Sequence, residues 1–533
     1  MKTLYRKREN TCSWSFLLKQ ISLYIGFCFM LGCTGIPDEK SVESDISSKP
    51  NVLIILADDL GYGDLGAYNE QSLVPTPNLD TLALQGVKFV NAYCPIAVCS
   101  PSRYALMTGT YPWRSWNVSG VMRNYERSMM APGQLTLPAM FKASGYTTAG
   151  FGKWHLGASF PTTDGKKPIG HGKFYDPDNG ANIDLTGAVH DGPIDHGFEQ
   201  WLGFSCASEC WVLKDKTIIG AMQHDYYTVE KHSQAGKIKQ IPMDSYLPMI
   251  TKASQNFLKE KVSKKGKPFF LYYAPYVPHV PLAVSKSFLG RTPAGAYGDY
   301  VHELDFYIGE LLHTLDSLKL SDNTVVLFAS DNGSAFRTTY QGMNASNAAN
   351  KLPGHFRDTM GIYKAPASSS LSEKVHSPNG ALRGIKSTAW EGGVRSPLIV
   401  RWPGHFPKGL TTAALFGMND VMATLAPLTG YMLKGGVTTD GMNLLPVFYG
   451  KGTKSRKSIV VQSGNNIYGL RNEKWKYIEM PLKEGGTYDE LYNLEEDPSE
   501  NHNLATVYPE RLEQMKKELE QILQGQSTTV KTN

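Results

Sequence analysis

The sequence has few cysteines, few charges and no long apolar segment suited to a bilayer. Seven cysteines stand in 533 residues. Beyond an N-terminal leader and tether only Cys94, Cys99, Cys206 and Cys210 remain within the folded part, which excludes a disulfide-stapled scaffold. The net charge is +5, but Lys2, Arg6, Lys7, Arg8 and Lys19, against the single acid Glu9, concentrate most of it ahead of Cys33. The rest of the chain is near neutral and carries no nucleic-acid footprint. The apolar run Ile21 to Leu31 is too short to span a membrane comfortably. No internal repeat or heptad register stands out.

What is present describes an ordinary globular protein: 41% hydrophobic, 19% charged and 11% aromatic residues. The length exceeds one simple core. Basic residues followed by an apolar run and small residues read as a secretory signal over residues 1–32. Leu31-Gly32-Cys33 also has the form of a bacterial lipoprotein signal, with plain secretion as the alternative. Membrane attachment is expected only through a lipid on Cys33, which makes the protein periplasmic or cell-surface. Residues 33–50, rich in Ser, Asp, Glu and Lys, read as a flexible tether.

Val52 to Ala57 is a continuous apolar run, the pattern of a strand buried on both faces of a parallel sheet. It ends in Asp58-Asp59, where ligands of open α/β sheets gather. Adjacent carboxylates repel unless a cation holds them. A second run, Thr324 to Ser330, ends in Asp331-Asn332 and brings two more oxygen donors to the same edge. An oxygen-only set suits Ca²⁺ better than Zn²⁺.

Between these runs lies Cys99-Ser100-Pro101-Ser102-Arg103. Pro101 suits a first helical turn and Ser100 a cap, so Cys99 is expected at a helix mouth, where N–H groups and the dipole favour an anion, with Arg103 one turn on. Tyr146 to Phe151 reads as a strand leading to Gly152-Lys153-Trp154-His155, and in extended chain Lys153 and His155 share a side. Pro278-His279-Val280-Pro281 follows another buried strand, Pro268 to Ala274. Its prolines restrict the backbone around His279, and a preorganised imidazole suits proton transfer.

Together Cys-x-Pro-Ser-Arg, the two acidic strand ends, Gly-Lys-Trp-His, Pro-His-x-Pro and Leu382-Arg383-Gly384-Ile385-Lys386 resemble the formylglycine-dependent sulfatases, type I and arylsulfatase-like, of the alkaline phosphatase superfamily. The resemblance runs from Asn51 to about Leu504. It implies that a maturation enzyme oxidises Cys99 to formylglycine, whose hydrate is the nucleophile. It implies one Ca²⁺ held by Asp58, Asp59, Asp331, Asn332 and the oxygen of residue 99. Arg103 favours the ionised nucleophile, Lys153 and Lys386 bind the sulfate, His155 contacts the hydrate, and His279 protonates the leaving alcohol. Sulfated polysaccharides or their oligosaccharides are the implied substrates, with algal ulvan or carrageenan favoured over animal glycosaminoglycans.

The expected fold is α/β, with a large, mostly parallel sheet flanked by helices, over residues 51–440. A smaller C-terminal α+β unit, an antiparallel sheet plus helix, is expected over 441–533. Residues 157–244 read as irregular loops that select substrate. Cys206 and Cys210 read as two buried thiols, with a bridge as the alternative. Two other functions stay open at this point: a phosphodiesterase or phosphonate hydrolase using the same site, and a non-catalytic carbohydrate-binding lipoprotein.

Overall fold

Seven successive residues of β1 (Asn51–Ala57) are fully buried. Leu53, Ile55 and Ala57 point to one side, into a core shared with Leu271 and Tyr273 of β9 (Phe269–Ala274) and Val326 and Phe328 of β10 (Thr324–Ser330). β1 pairs in parallel with both of these strands, so its backbone bonds are satisfied on each side and its apolar run needs cover on both faces. On the core side that cover is α4 (Tyr246–Ser263) and α5 (Gly295–Ser317), through Phe257, Leu258, Leu304, Ile308 and Leu311.

The computed structural model describes residues 49–123, 125–170, 180–206, 211–223, 234, 236–263, 266–339, 342–345, 376–434, 440–451, 456–482 and 486–525. The chain divides after Lys49, and residues from Pro50 onward form one compact unit. The expected leader and Cys33, the expected lipidation site, lie outside the described residues, as does Cys210. Among the described residues no helix is long and apolar enough to cross a membrane.

The main sheet has eleven strands among the described residues, in the order β14-β2-β13-β10-β1-β9-β4-β5-β6-β7-β8. The remaining members are β2 (Val87–Phe89), β4 (Thr147–Lys153), β5 (Gln200–Phe204), β6 (Trp211–Lys214), β7 (Thr217–Gln223), β8 (Gln240–Pro242), β13 (Leu398–Arg401) and β14 (Leu410–Thr412). Its centre, β10-β1-β9-β4-β5, is parallel throughout, and antiparallel pairs appear only towards the two edges. Short ribbons join β3 (Ala92–Tyr93) to β15 (Phe416–Gly417) and β11 (Phe336–Thr339) to β12 (Gly342–Ala345). Helices α1 (Pro77–Leu84), α2 (Cys99–Thr108), α3 (Leu137–Ala143) and α6 (Val421–Thr429) complete the flanking layers.

Residues 157–244 are less irregular than expected, since β5 to β8 fall within them and extend the sheet to one edge. These strands are short, three to seven residues, and Gly203 and Gly220 interrupt their apolar pattern. Gly203 faces the neighbouring strand so closely that a Cβ would stand 1.8 Å from the carbonyl oxygen of Gly152. The glycine that weakened the pattern is what lets β4 and β5 pair.

A four-stranded antiparallel sheet, β16 (Ser458–Gln462), β17 (Tyr468–Asn472), β18 (Trp475–Pro481) and β19 (Thr487–Asn493), forms the smaller C-terminal layer. Leu512, Met515, Leu519 and Ile522 fall on one stripe of α7 (Pro509–Leu523) and pack against Leu470, Tyr477 and Leu491. Two backbone bonds tie this sheet to the rest: Ala97 N–H donates to Gln462 O at 2.9 Å and Gly464 N–H to Ser387 O at 3.1 Å. One meets the loop before Cys99 and the other the residue after Lys386.

Candidate active site

The parallel registry of β1 and β10 brings their carboxyl ends together, since Ala57 stands opposite Ser330. Asp58, Asp59, Asp331 and Asn332 therefore emerge side by side, all buried. Asp331 N–H donates to Ala57 O at 3.1 Å and Asp59 N–H to Asp331 Oδ1 at 3.2 Å. Asn332 Nδ2 donates to Asp59 Oδ1 at 2.7 Å. Asp59 sits at φ 64°, a left-handed turn that directs its carboxylate back over the strand ends.

Three cations meet these carboxylates. Arg103 Nε and NH2 reach Asp331 Oδ2 at 2.9 and 2.8 Å, and NH2 lies 3.6 Å from Asp58 Oδ1. Its NH1 donates to Lys153 O and to the Tyr272 hydroxyl, each at 3.2 Å. Lys153 Nζ bonds Asp58 Oδ2 at 2.6 Å and lies 5.0 Å over the Tyr276 ring. Lys386 Nζ bonds Asp59 Oδ1 at 2.6 Å. Burial works against each of these charges, so each persists only because an opposite one faces it.

The proton affinities follow from that packing. Burial would raise Asp58, but Lys153, His279, Arg103 and Lys386 together hold it well below the usual carboxylate range. Asp331 goes the other way, pushed up to about 7 by burial and by the charge of Asp58 beside it, against the pull of Arg103. Burial would lower Lys386, yet Asp59 and Asp58 hold its proton more firmly than an ordinary lysine does.

Cys99 opens α2, with Val98 in extended conformation as the residue before it and no side chain capping the mouth. Ser100 lies inside the helix instead of capping it, and its Oγ accepts the Met122 N–H at 3.0 Å. The helix thus begins two residues earlier than the sequence suggests, which places Cys99 itself in the first turn. Cys99 is 1% exposed. Burial raises its thiol pKa against the attraction of Lys153 and Lys386, so the unmodified side chain is a neutral thiol.

Two histidines face the cluster differently from one another. β4 ends at Lys153, and His155 takes φ 61°, so the expected simple alternation of Lys153 and His155 does not hold. The turn sends His155 Nε2 to the Met122 carbonyl at 3.0 Å, while Nδ1 is buried without a hydrogen-bond partner. A nitrogen facing a carbonyl carries the hydrogen, which leaves Nδ1 as a bare acceptor. Burial, with Lys153 and Arg103 nearby, keeps this ring neutral by lowering its pKa well below the usual value.

His279 directs Nδ1 to Val280 O at 2.5 Å, and its Nε2 lies 3.7 Å from Asp59 Oδ2. Burial and Lys386 bring its pKa down to about 4. Asp58, Asp59 and His279 present ligand atoms within 4.8 Å of one another. Asp58, Asp59, Asp331, Asn332, Arg103, Lys153, Lys386 and His279 are thus linked in one cluster, and Cys99 and His155 are buried near it, within electrostatic range of Lys153 and Asp58.

Several partners were not singled out. Tyr272 and Tyr276 belong to the β9 run and its exit, where aromatics read simply as core. Ser334 carries Lys386: its carbonyl accepts the Lys386 N–H at 2.9 Å, and its hydroxyl meets Tyr297, which donates to Asp64 Oδ2 at 2.6 Å. His376 Nε2 reaches Asp64 Oδ1 at 2.8 Å. Of the histidines within residues 157–244, His196 bonds Ser128 and Asp191, and His171 and His224 lie outside the described residues.

The site's residues fit a hard divalent cation. Asp58 Oδ1 and Asn332 Oδ1 are buried oxygens without a hydrogen-bond partner, and the donors beside them are carboxylates, the oxygen set Ca²⁺ prefers.

A sulfatase family model matches residues 50–431, and one described as N-sulphoglucosamine sulphohydrolase, C-terminal, matches 386–528. The chain is 32% identical to an N-acetylgalactosamine-6-O-sulfatase of Bacteroides thetaiotaomicron, over 94% of this chain and 98% of that protein. It is 30% identical to human arylsulfatase A, over 88% and 87% of the two chains. A solved structure from work on the metabolism of multiple glycosaminoglycans by Bacteroides thetaiotaomicron superposes with a TM-score of 0.72 at 30% identity, covering 89% of this chain and 99% of that one.

Proposed function

Since the chain belongs to the sulfatase family and is a sulfuric ester hydrolase, we propose that it removes 6-O-sulfate from an N-acetylhexosamine of a glycosaminoglycan-type saccharide. The observation that carries this reading is the near full-length match to an N-acetylgalactosamine-6-O-sulfatase. The algal ulvan or carrageenan favoured from sequence has less support, because that relative is named for an amino sugar.

Residue 99 is the proposed nucleophile. Formylglycine there supplies, as its hydrate, a hydroxyl to take the sulfuryl group and a second hydroxyl whose deprotonation releases it. Asp58, Asp59, Asp331 and Asn332 would hold Ca²⁺, which supplies positive charge to the sulfuryl oxygens. Lys153 and Lys386, now paired with Asp58 and Asp59, are positioned to bind those oxygens as well. Arg103 fixes Asp331 and thereby the end of β10. His155, with Nδ1 buried and bare, is the proposed acceptor for the second hydroxyl's proton. His279, whose Nδ1 faces Val280 O, is the proposed general acid for the leaving alcohol, a role that requires Nε2 to take up a proton first, against burial and the charge of Lys386.

The reading includes export through the N-terminal leader, with lipidation of Cys33, and maturation by a formylglycine-generating enzyme. The test is a desulfation screen of matured protein on defined oligosaccharides. Release of sulfate from 6-O-sulfated N-acetylhexosamine units is the expected outcome. Activity confined to carrageenan or ulvan fragments, or to phosphate diesters, would overturn it.

A further inference from the structure

Lys386 ends a strap, residues 376–386, whose anchor lies outside the ion cluster around Asp58 and Asp59. His376, at the start of the strap, directs Nε2 to Asp64 Oδ1 at 2.8 Å. Its Nδ1 accepts the Leu73 N–H at 3.3 Å, so the ring hydrogen is on Nε2 and is donated to Asp64. Asp64 Oδ2 accepts the Gly61 N–H at 2.7 Å, closing the turn after Asp59, and the Tyr297 hydroxyl at 2.6 Å. Strap and turn are also in direct contact: Gly63 N–H donates to Pro378 O at 2.7 Å, and a Cβ at Gly61 would stand 2.0 Å from that same oxygen. One fully buried carboxylate thus joins the acidic turn after β1, the first turn of α5 and the strap.

From Asp64 a line of bonds leads to Lys386. Tyr297 gives its hydrogen to Asp64, so the Ser334 hydroxyl, 3.0 Å away, donates to the Tyr297 oxygen. The Ser334 carbonyl accepts the Lys386 N–H at 2.9 Å. Asn379 of the strap brackets the same residue, its Oδ1 accepting the Ser334 N–H at 2.9 Å and its Nδ2 donating to Ser334 O at 3.3 Å. On the far flank Ser387 N–H donates to Ala97 O at 2.8 Å, in the loop before Cys99. Lysine carries a point charge on a flexible four-carbon stem, so where its Nζ stands depends on where its backbone is held.

We infer that Tyr297 is a positioning residue for Lys386: its hydroxyl, held by Asp64 and His376, fixes through Ser334 the backbone from which Lys386 reaches the sulfuryl oxygens. The inference rests on the sulfate-binding role given to Lys386 above. The Tyr297 ring is buried and packs against Phe336, with centroids 4.6 Å apart. Tyr297→Phe therefore removes one oxygen and leaves the ring seated.

The test compares matured full-length Tyr297→Phe with the wild type on one sulfate ester that the wild type hydrolyses. kcat/KM should fall, and inhibition by inorganic sulfate should weaken, each about fivefold or more, the size of one buried hydrogen bond. Hydrogen exchange read by mass spectrometry should quicken in peptides spanning residues 383–390 while β1 and β9 stay protected. Combining Tyr297→Phe with Ser334→Ala should cost less than the product of the two single losses, because both cut the same line. Unchanged exchange at 383–390, exchange that quickens equally in β1 and β9, or losses that multiply in the double variant would overturn the inference. Quicker exchange at 383–390 with wild-type kinetics would instead refute the sulfate-binding role of Lys386.

Discussion

The Asp59 backbone N–H bonds the Asp331 carboxylate at 3.2 Å across 272 residues of sequence. This bond, with Asn332 on Asp59, makes the two acidic strand ends one unit that assembles only when β1 and β10 pair. Removing bound cation with a chelator should therefore lower both activity and thermal stability, and Ca²⁺ should restore both. At a hundred times its Kd the ion should add about 2.7 kcal/mol of stability. Asp58→Asn should weaken that rescue, as read by calorimetric Ca²⁺ titration. A midpoint that ignores Ca²⁺ would speak against a site here.

Cys99→Ala should abolish sulfate release without loosening the fold, because the thiol makes no ion pair and its removal deletes a single buried atom. Turnover and the melting midpoint read the two effects separately. Mass spectrometry of active protein should show no intact thiol at position 99.

Arg103→Met should be much worse for stability than Cys99→Ala. It strands Asp331 and Asp58 without their guanidinium, and breaking one partner of a buried pair costs about 3–5 kcal/mol. Arg103→Lys keeps the charge but loses the fork shared among Asp331, Tyr272 and Lys153 O, so activity should fall while much of the stability returns. Denaturant midpoints and kcat/KM on one substrate check both.

A second buried ion cluster governs pH dependence away from the active site. Lys476 Nζ lies 2.8 Å from Glu391 Oε1 and 2.9 Å from Glu500 Oε1. Glu391, buried but attracted by Arg395 and Lys476, falls to about 2. Glu500 rises to about 7, through burial and the neighbouring Glu391 charge, against Lys476. Between the usual glutamate value and about 7 the folded chain binds a proton at Glu500 that the unfolded chain has lost. Glu500 therefore favours folding at the acid end of that window, and this support is lost as pH rises through it. Glu500→Gln should flatten the fall in melting midpoint between pH 5 and 7; an unchanged slope would contradict the assignment.

Much of the site was legible because local patterns carried it. Apolar runs ending in Asp-Asp and Asp-Asn announced buried strands delivering carboxylates to one edge, and β1 and β10 do so. The proline-flanked His279 and the helix at Cys99 were visible for the same reason. What escaped depended on long-range register. Nothing near Ser334 announces that it carries Lys386, since Tyr297 and Asp64 come from elements 37 and 270 residues away. The left-handed His155 follows from the end of β4 and its bonds to Ser205 and Met122, not from the residues around it. β5 to β8 were hidden because glycines needed for close pairing dilute their strand pattern.

The near-complete enclosure of Cys99 sets a timetable for biosynthesis. Any catalyst that rewrites this side chain must meet the polypeptide before α2 and the central sheet close around it. A chain that folds ahead of that encounter would be well built and permanently inert, so yield of folded protein and yield of working enzyme are separate quantities in any host.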